Sequence, residues 1–108
     1  PRVARKTWIA GTLNPTGIVV IDGGAANALA QGKSLLPAGV ADVKGNFERG
    51  DAIAISDNAG RILGKGLSAF SADDVRRIKG LRSDALEGVL GYQGRSEVVH
   101  RDDLVLDA

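Results

Sequence analysis

Glycine punctuates this sequence from end to end. Fifteen of the 108 residues are glycine, about double the share in an average protein, and the apolar runs between them are short. The stretch Gly17–Ile21 is among the longest, and such runs are closed by glycine, asparagine or aspartate. Segments of this length make strands or brief helices; a transmembrane helix, which needs about 20 apolar residues, is excluded. The chain is therefore limited to many short elements joined by tight turns.

The charge balance narrows the class. Fourteen Lys and Arg against 13 Asp and Glu give a formal charge of +1, with 44% hydrophobic and 25% charged residues. Those values exclude an acidic disordered chain, a low-complexity linker and a strongly basic nucleic-acid tail. At 108 residues one compact core over 1–108 is expected. The absence of cysteine removes disulfides, thiolate nucleophiles and thiolate metal sites, and fits a reducing, cytoplasmic setting. After Arg2, Arg5 and Lys6 comes only Trp8-Ile9-Ala10 before Gly11, which is too short for a signal-peptide core. A start at Pro1 and no methionine suggest a segment of a longer chain.

Trp8-Ile9-Ala10 and Ile18–Ile21, joined through Asn14-Pro15-Thr16-Gly17, read as a hairpin. Asp22-Gly23-Gly24 breaks the strand, and Ala25–Gln31 forms a short helix closed by Gly32. Val40–Val43 alternates as a half-buried bent edge segment. Asn46–Gly50 is a turn carrying Phe47. Asp51–Ser56 is a strand with Ile53 and Ile55 on one face, turned by Asp57–Gly60 into a returning strand over Arg61–Ala69, where Gly64 and Gly66 mark a bulge or a close backbone approach. Ser71 caps a helix over Ala72–Lys79 with Gly80 as its stop, and Ser83–Gly91 is a second helix with Leu86, Val89 and Leu90 facing the core. Val98-Val99 and Leu104–Leu106 supply a last strand. Five or six short strands with small helices predict an α+β fold, β-dominated: a curled antiparallel or mixed pseudobarrel.

Three fragments imitate catalytic motifs and fail on spacing. Gly32-Lys33-Ser34 resembles the end of a phosphate loop, but Asn27 stands where its leading glycine belongs. In Gly60–Gly66 the leading glycine is one residue too close to Gly64-Lys65, and Gly66 replaces the Ser or Thr that would hold magnesium. His100-Arg101-Asp102 lacks the asparagine of a kinase catalytic loop. His100 is the only histidine and reads as a hydrogen-bonding strand-end residue. Asp102 and Asp103 are neighbours that point to opposite faces of a strand, so they do not chelate together, and Asp107 adds solvated charge. No catalytic, cofactor-binding or metal site is expected. The basic residues Arg76, Arg77, Lys79 and Arg82 cluster on one helix. There Arg76 and Lys79 share a face, which suits either contact with phosphate or an acidic partner, or simple solvation. Four aromatics, Trp8, Phe47, Phe70 and Tyr92, are too few for a base-stacking platform.

The succession Gly23-Gly24-Ala25-Ala26, Leu29, Gly32, Ser34–Val40, Gly45, Phe47, Gly50-Asp51, Gly60 and Gly66 resembles the PUA domain, a pseudobarrel module. Many of its members bind structured RNA in pseudouridine synthases and archaeosine transglycosylases. The flanks Arg5–Gly11, Phe47–Asp51, Asp74–Gly80, Leu90-Gly91-Tyr92 and His100–Asp103 resemble the C-terminal part of the bacterial glutamate 5-kinases, or gamma-glutamyl kinases. That resemblance implies a parent that phosphorylates the γ-carboxylate of glutamate with ATP and Mg at the start of proline biosynthesis. Its chemistry would reside in an N-terminal amino-acid-kinase domain absent from this segment. The implied role here is non-catalytic: packing on the kinase domain of the same chain, shaping homo-oligomers, or modulating feedback by proline. The alternative is an RNA-binding module, with RNA contacts on Asp22–Ala26 and Lys33–Val40. Lys33 is the single basic residue there, so weak RNA binding is expected. The candidate RNA or partner contacts are Gly23, Gly24, Ala25, Lys33, Arg76 and Lys79.

Overall fold

A computed structural model describes residues 9, 11, 14–92 and 94–107. Strand β1 (Gly17–Ile21) leads into helix α1 (Gly23–Ala30), a 3-10 turn over Pro37–Gly39, and strands β2 (Val40–Gly45), β3 (Ala52–Ser56) and β4 (Ile62–Leu67). Helix α2 (Ala72–Ile78), a 3-10 turn over Ser83–Ala85, helix α3 (Leu86–Leu90), a 3-10 turn over Arg101–Asp103 and strand β5 (Leu104–Leu106) follow. The strands form one mixed sheet in the order β2-β1-β3-β4-β5. The fold is α+β and β-dominated, with small helices packed around the sheet.

β1 pairs antiparallel with β2 and parallel with β3, so both its edges are filled from Ile18 to Val20. The hairpin expected between Trp8–Ala10 and Ile18–Ile21 therefore cannot join the sheet. Ile9 is helical and fully buried, while Trp8 and Ala10 lie outside the described residues. A central strand must be apolar on both faces. Gly17–Ile21 meets that demand, and it takes its partners from later in the chain rather than from its neighbour.

On the far side of β1, Val20 partners Asp42 and Ile21 partners Val40, leaving Ala41 as a bulge. The bulge breaks the alternation expected of Val40–Val43: both valines are buried, whereas Ala41 and Asp42 are exposed. β2 is an edge strand, as expected. In β3, Ile53 and Ile55 are fully buried, and so nearly are Ala54 and Ser56 on the other face.

The β3–β4 turn is built by Asp57. Its Oδ1 accepts from the Ala59 and Arg61 amides at 3.0 and 2.9 Å, and Gly60 takes a φ of +87°. β4 is shorter than Arg61–Ala69, and Leu63 bulges between the Ser56–Ile62 and Ile55–Gly64 pairs. Beyond it Gly64 and Gly66 face β5, pairing with Leu106 and Leu104. A methyl group on Gly64 would overlap the Val105 carbonyl oxygen, and one on Gly66 would lie 2.6 Å from Val99 Cγ1. The sequence offered a bulge or a close approach, and the strand contains both.

α1 starts at Gly23 rather than Ala25. Asp22 Oδ1 accepts from the Ala25 amide at 2.8 Å, an N-cap that draws the two glycines into the first turn. α2 is capped by Ser71, whose Oγ accepts from the Asp74 amide at 3.2 Å, and it buries Ala72, Val75 and Ile78. α3 ends at Gly91 with a φ of +80°. Val98 and Val99 do not enter the sheet; they clasp Leu35 through Leu35 N–Val99 O and Val98 N–Leu35 O, at 2.9 and 2.8 Å. The core is formed by Val19, Ile21, Ile53 and Ile55 from the sheet with Val75, Ile78, Leu35, Val98 and Val99 around them. Each such side chain stabilises the fold by about 1.5–3 kcal/mol. Among the described residues no helix is long and apolar enough to cross a membrane.

Candidate functional site

The Asp22 cap that starts α1 also fixes the wall opposite. Its amide donates to the Gly39 carbonyl at 3.0 Å, so the Pro37–Gly39 turn is held against the helix. A side chain on Gly39 would overlap Ala25 Cβ, and glycine is what lets the two segments meet. Between them lies a cleft of about 430 Å³ lined by Asp22, Gly24, Ala25, Ala28, Lys33, Ser34, Leu36, Ala38, Gly39 and Glu97. Its wall is mostly aliphatic, and Leu36 is 45% exposed on it.

Of the residues singled out from the sequence, Gly24, Ala25 and Lys33 line this cleft, and Gly23 adjoins it in the first turn of α1. Glu97 was missed. It arrives because the Val98–Leu35 bond folds a late segment over the Lys33–Leu36 strip, a long-range pairing that no local pattern announces. One cation, Lys33, thus faces two carboxylates, Asp22 and Glu97. Ser34 Oγ accepts from the Arg101 amide at 2.8 Å and ties the same segment down.

Arg76, on α2, and Lys79, which caps its C-terminal end, are elsewhere, beside β2. Arg76 donates to the Gly45 carbonyl at 2.5 Å and to Asp73 at 3.2 Å, and Lys79 Nζ lies 3.9 Å from Asp42 Oδ1. Asp42 Oδ1 also accepts from the Val43 amide at 2.8 Å. Side chains thus cover the backbone groups of the edge strand, which would otherwise invite pairing with another chain. Arg2, Arg5 and Lys6 lie outside the described residues.

At the other end of α2, Tyr92 donates to Asp74 Oδ2 at 2.6 Å, and Arg77 sits 3.7 Å from the same carboxylate. The bond to Asp74, then desolvation and the carboxylate's charge, hold the phenol above its usual pKa of 10.0. Arg49, Arg95, Phe70 and Ser71 border the depression of about 480 Å³ beside it. His100 caps the last 3-10 turn, its Nδ1 accepting from the Asp102 amide at 3.0 Å. Among the described residues no three His, Asp or Glu side chains come together to hold a metal ion.

The sequence pattern of the PUA domain matches residues 17–90, from the first residue of β1 to the last of α3. This chain belongs to the PUA domain family. The PUA domain described here is 57% identical over 107 residues to a glutamate 5-kinase of Paramagnetospirillum magneticum, a match covering 99% of this chain and 29% of the kinase. It spans less than a third of the length of such curated relatives. Among solved structures it is similar to a PUA domain of Aeropyrum pernix K1 crystallised with tartrate (TM-score 0.57, 30% identity, 80% of this chain and 43% of that one). It also shares its fold with a chain of an H/ACA ribonucleoprotein bound to a substrate RNA (TM-score 0.56, 19% identity, 79% and 23%).

Proposed function

We propose that this PUA domain is the C-terminal accessory unit of a glutamate 5-kinase, a cytoplasmic enzyme of proline biosynthesis. The observation that carries the reading is the 57% identity over almost the whole chain to a kinase more than three times as long. In the parent, ATP and Mg would be bound by an amino-acid-kinase domain in the rest of the chain. The role here is to pack on that domain, shaping homo-oligomers or proline sensitivity. A full-length kinase of this sequence and a version ending before residue 1 should both phosphorylate glutamate but differ in oligomer size or in inhibition by proline. Identical behaviour would sink the accessory role.

RNA binding, the alternative, draws on the PUA family, and the cleft's charges weigh against it. Phosphate contacts gain affinity from each cation they neutralise. Lys33 faces Asp22 and Glu97, while Arg76 and Lys79 are engaged with β2. A gel-shift series at low salt with structured RNA is expected to show weak, salt-sensitive retention at most; tight binding that survives physiological salt would favour the alternative.

A further inference from the structure

Some basic side chains of this domain are engaged within it. Arg76 and Arg77 on α2 and Lys79 at its C-terminal cap are hydrogen-bonded or ion-paired within the domain. Arg49, Arg61, Arg82, Arg95 and Arg101, by contrast, carry no side-chain hydrogen bond or ion pair among the described residues. Of these, Arg49 and Arg95 share the same two adjoining depressions, one of about 480 Å³ next to Tyr92 and one of about 310 Å³ next to Gly50 and Ser68. Tyr92, on the rim of the larger one, is 45% exposed yet held by its bond to Asp74. The carboxylates nearby are mostly satisfied. Asp74 is held by Tyr92 and Arg77, and Asp103 has a partner of its own, leaving Glu48 against two guanidiniums. Exposed, immobilised tyrosine with unengaged arginine is the composition that dominates binding energy at protein interfaces, and the guanidinium fork matches a carboxylate.

We infer that the Arg49–Tyr92–Arg95 face is where this domain docks on the rest of its own longer chain, taking a carboxylate-bearing segment of the kinase part. The inference rests on the accessory reading above. With 71% of the related kinase lying outside the matched region (100 minus 29), a longer chain of that kind holds more than twice this domain's mass tethered within reach of its faces. The face with unsatisfied positive charge and a fixed aromatic selects an acidic surface.

The test is amide hydrogen exchange on the full-length kinase and on residues 1–108 alone, which carry their own buried core. Amides of residues 48–50, 70–74 and 92–95 are expected to exchange at least about tenfold more slowly in the full chain. Arg49→Glu with Arg95→Glu should return them to the isolated-domain rate, while the circular dichroism of the isolated variant stays native. The wild-type comparison decides the matter even if the variant fails to fold. Equal rates on this face, or protection confined to the cleft around Asp22–Ala25 and Lys33–Gly39, would overturn the docking face and leave the accessory role standing. Protection that grows with protein concentration would assign the face to a second copy and overturn it too, as would protection produced in the isolated domain by RNA. Failure of the accessory role is read separately, from unchanged oligomer size and proline inhibition on removing the domain.

Discussion

Substituting alanine at two glycines tests whether the close approach of β4 and β5 governs stability. At Gly64 the added methyl meets backbone, the Val105 carbonyl oxygen and Leu106 Cα, the latter at 2.9 Å where ordinary contact begins near 3.4 Å. Backbone atoms cannot rotate aside, so β5 must retreat by at least 3.4 − 2.9 = 0.5 Å at Leu106, and further at Val105. That movement stretches the ladder bonds, among them Asp107 N–Leu63 O at 2.8 Å. Losing about two of them removes about 2 kcal/mol. Partial exposure of Leu104, now 6% exposed, removes about 1 kcal/mol more. The total of about 3 kcal/mol should lower Tm by about 13 °C in a domain of this size. Gly88, in the exposed middle of α3, has nothing within 4 Å of a built Cβ, and there alanine should stabilise by about 0.5–1 kcal/mol through helix propensity. Thermal melts followed by circular dichroism give both values. If Gly64→Ala melts within about 3 °C of the parent, or no lower than Gly88→Ala, the account of the β4–β5 packing is wrong.

Three further outcomes follow from individual contacts. Asp22→Ala removes the α1 cap and should cost about 1 kcal/mol in a urea titration, with proteolysis within residues 31–39 accelerated because the Pro37–Gly39 turn is anchored beside that cap. Because the folded pKa of Tyr92 is raised, the native state holds the phenolic proton more tightly than the unfolded chain. The bond's contribution is therefore complete below about pH 10 and lost as pH rises through the folded value. Tm measured from pH 8 to 11.5 should fall more steeply in the parent than in Tyr92→Phe, and parallel curves would exclude the Asp74 bond as the cause. Arg76→Ala uncovers the Gly45 carbonyl on the edge strand; a loss of about 1 kcal/mol and faster concentration-dependent aggregation by light scattering are expected, and unchanged scattering would argue against the edge-sealing role.

Local chemistry was read well from the sequence. Ser71, Gly80, Gly91 and the Asp57–Gly60 turn each shape the chain within about four residues of themselves, and each adopts the predicted role. Gly64 and Gly66 announced a close approach because glycine in a strand otherwise only weakens it. What the sequence could not settle was partner choice. Ile18–Ile21 is apolar at every position, so it suits any neighbour, and the nearest apolar stretch was assigned in place of β2 and β3. Val98 and Val99 read as strand but form only an isolated bridge, with Leu35, outside the sheet. The cleft was partly legible: Gly24, Ala25 and Lys33 came from the family resemblance, whereas Glu97 depends on that Leu35 clasp. Arg76 lies on α2 and Lys79 just past its end, and both reach β2, which spacing on one helix does not reveal.

The parallel pairing at the centre of the sheet also orders events in time. Thr16 reaches the Ala52 carbonyl across 36 residues, and α1 and β2 must both be laid down within that interval. Closing so long a loop is entropically slow, whereas β3 and β4 meet across the five residues 57–61 and can form within microseconds. The hairpin is thus expected to be the early scaffold, and β1 the strand inserted late between two waiting edges. Because β1 precedes both partners in the chain, a ribosome releases Ile18–Ile21 well before either of its sheet partners exists. β1, flanked by a strand on each edge in the finished sheet, thus waits unpaired for partners that are made only later, and is open to misassociation in that interval.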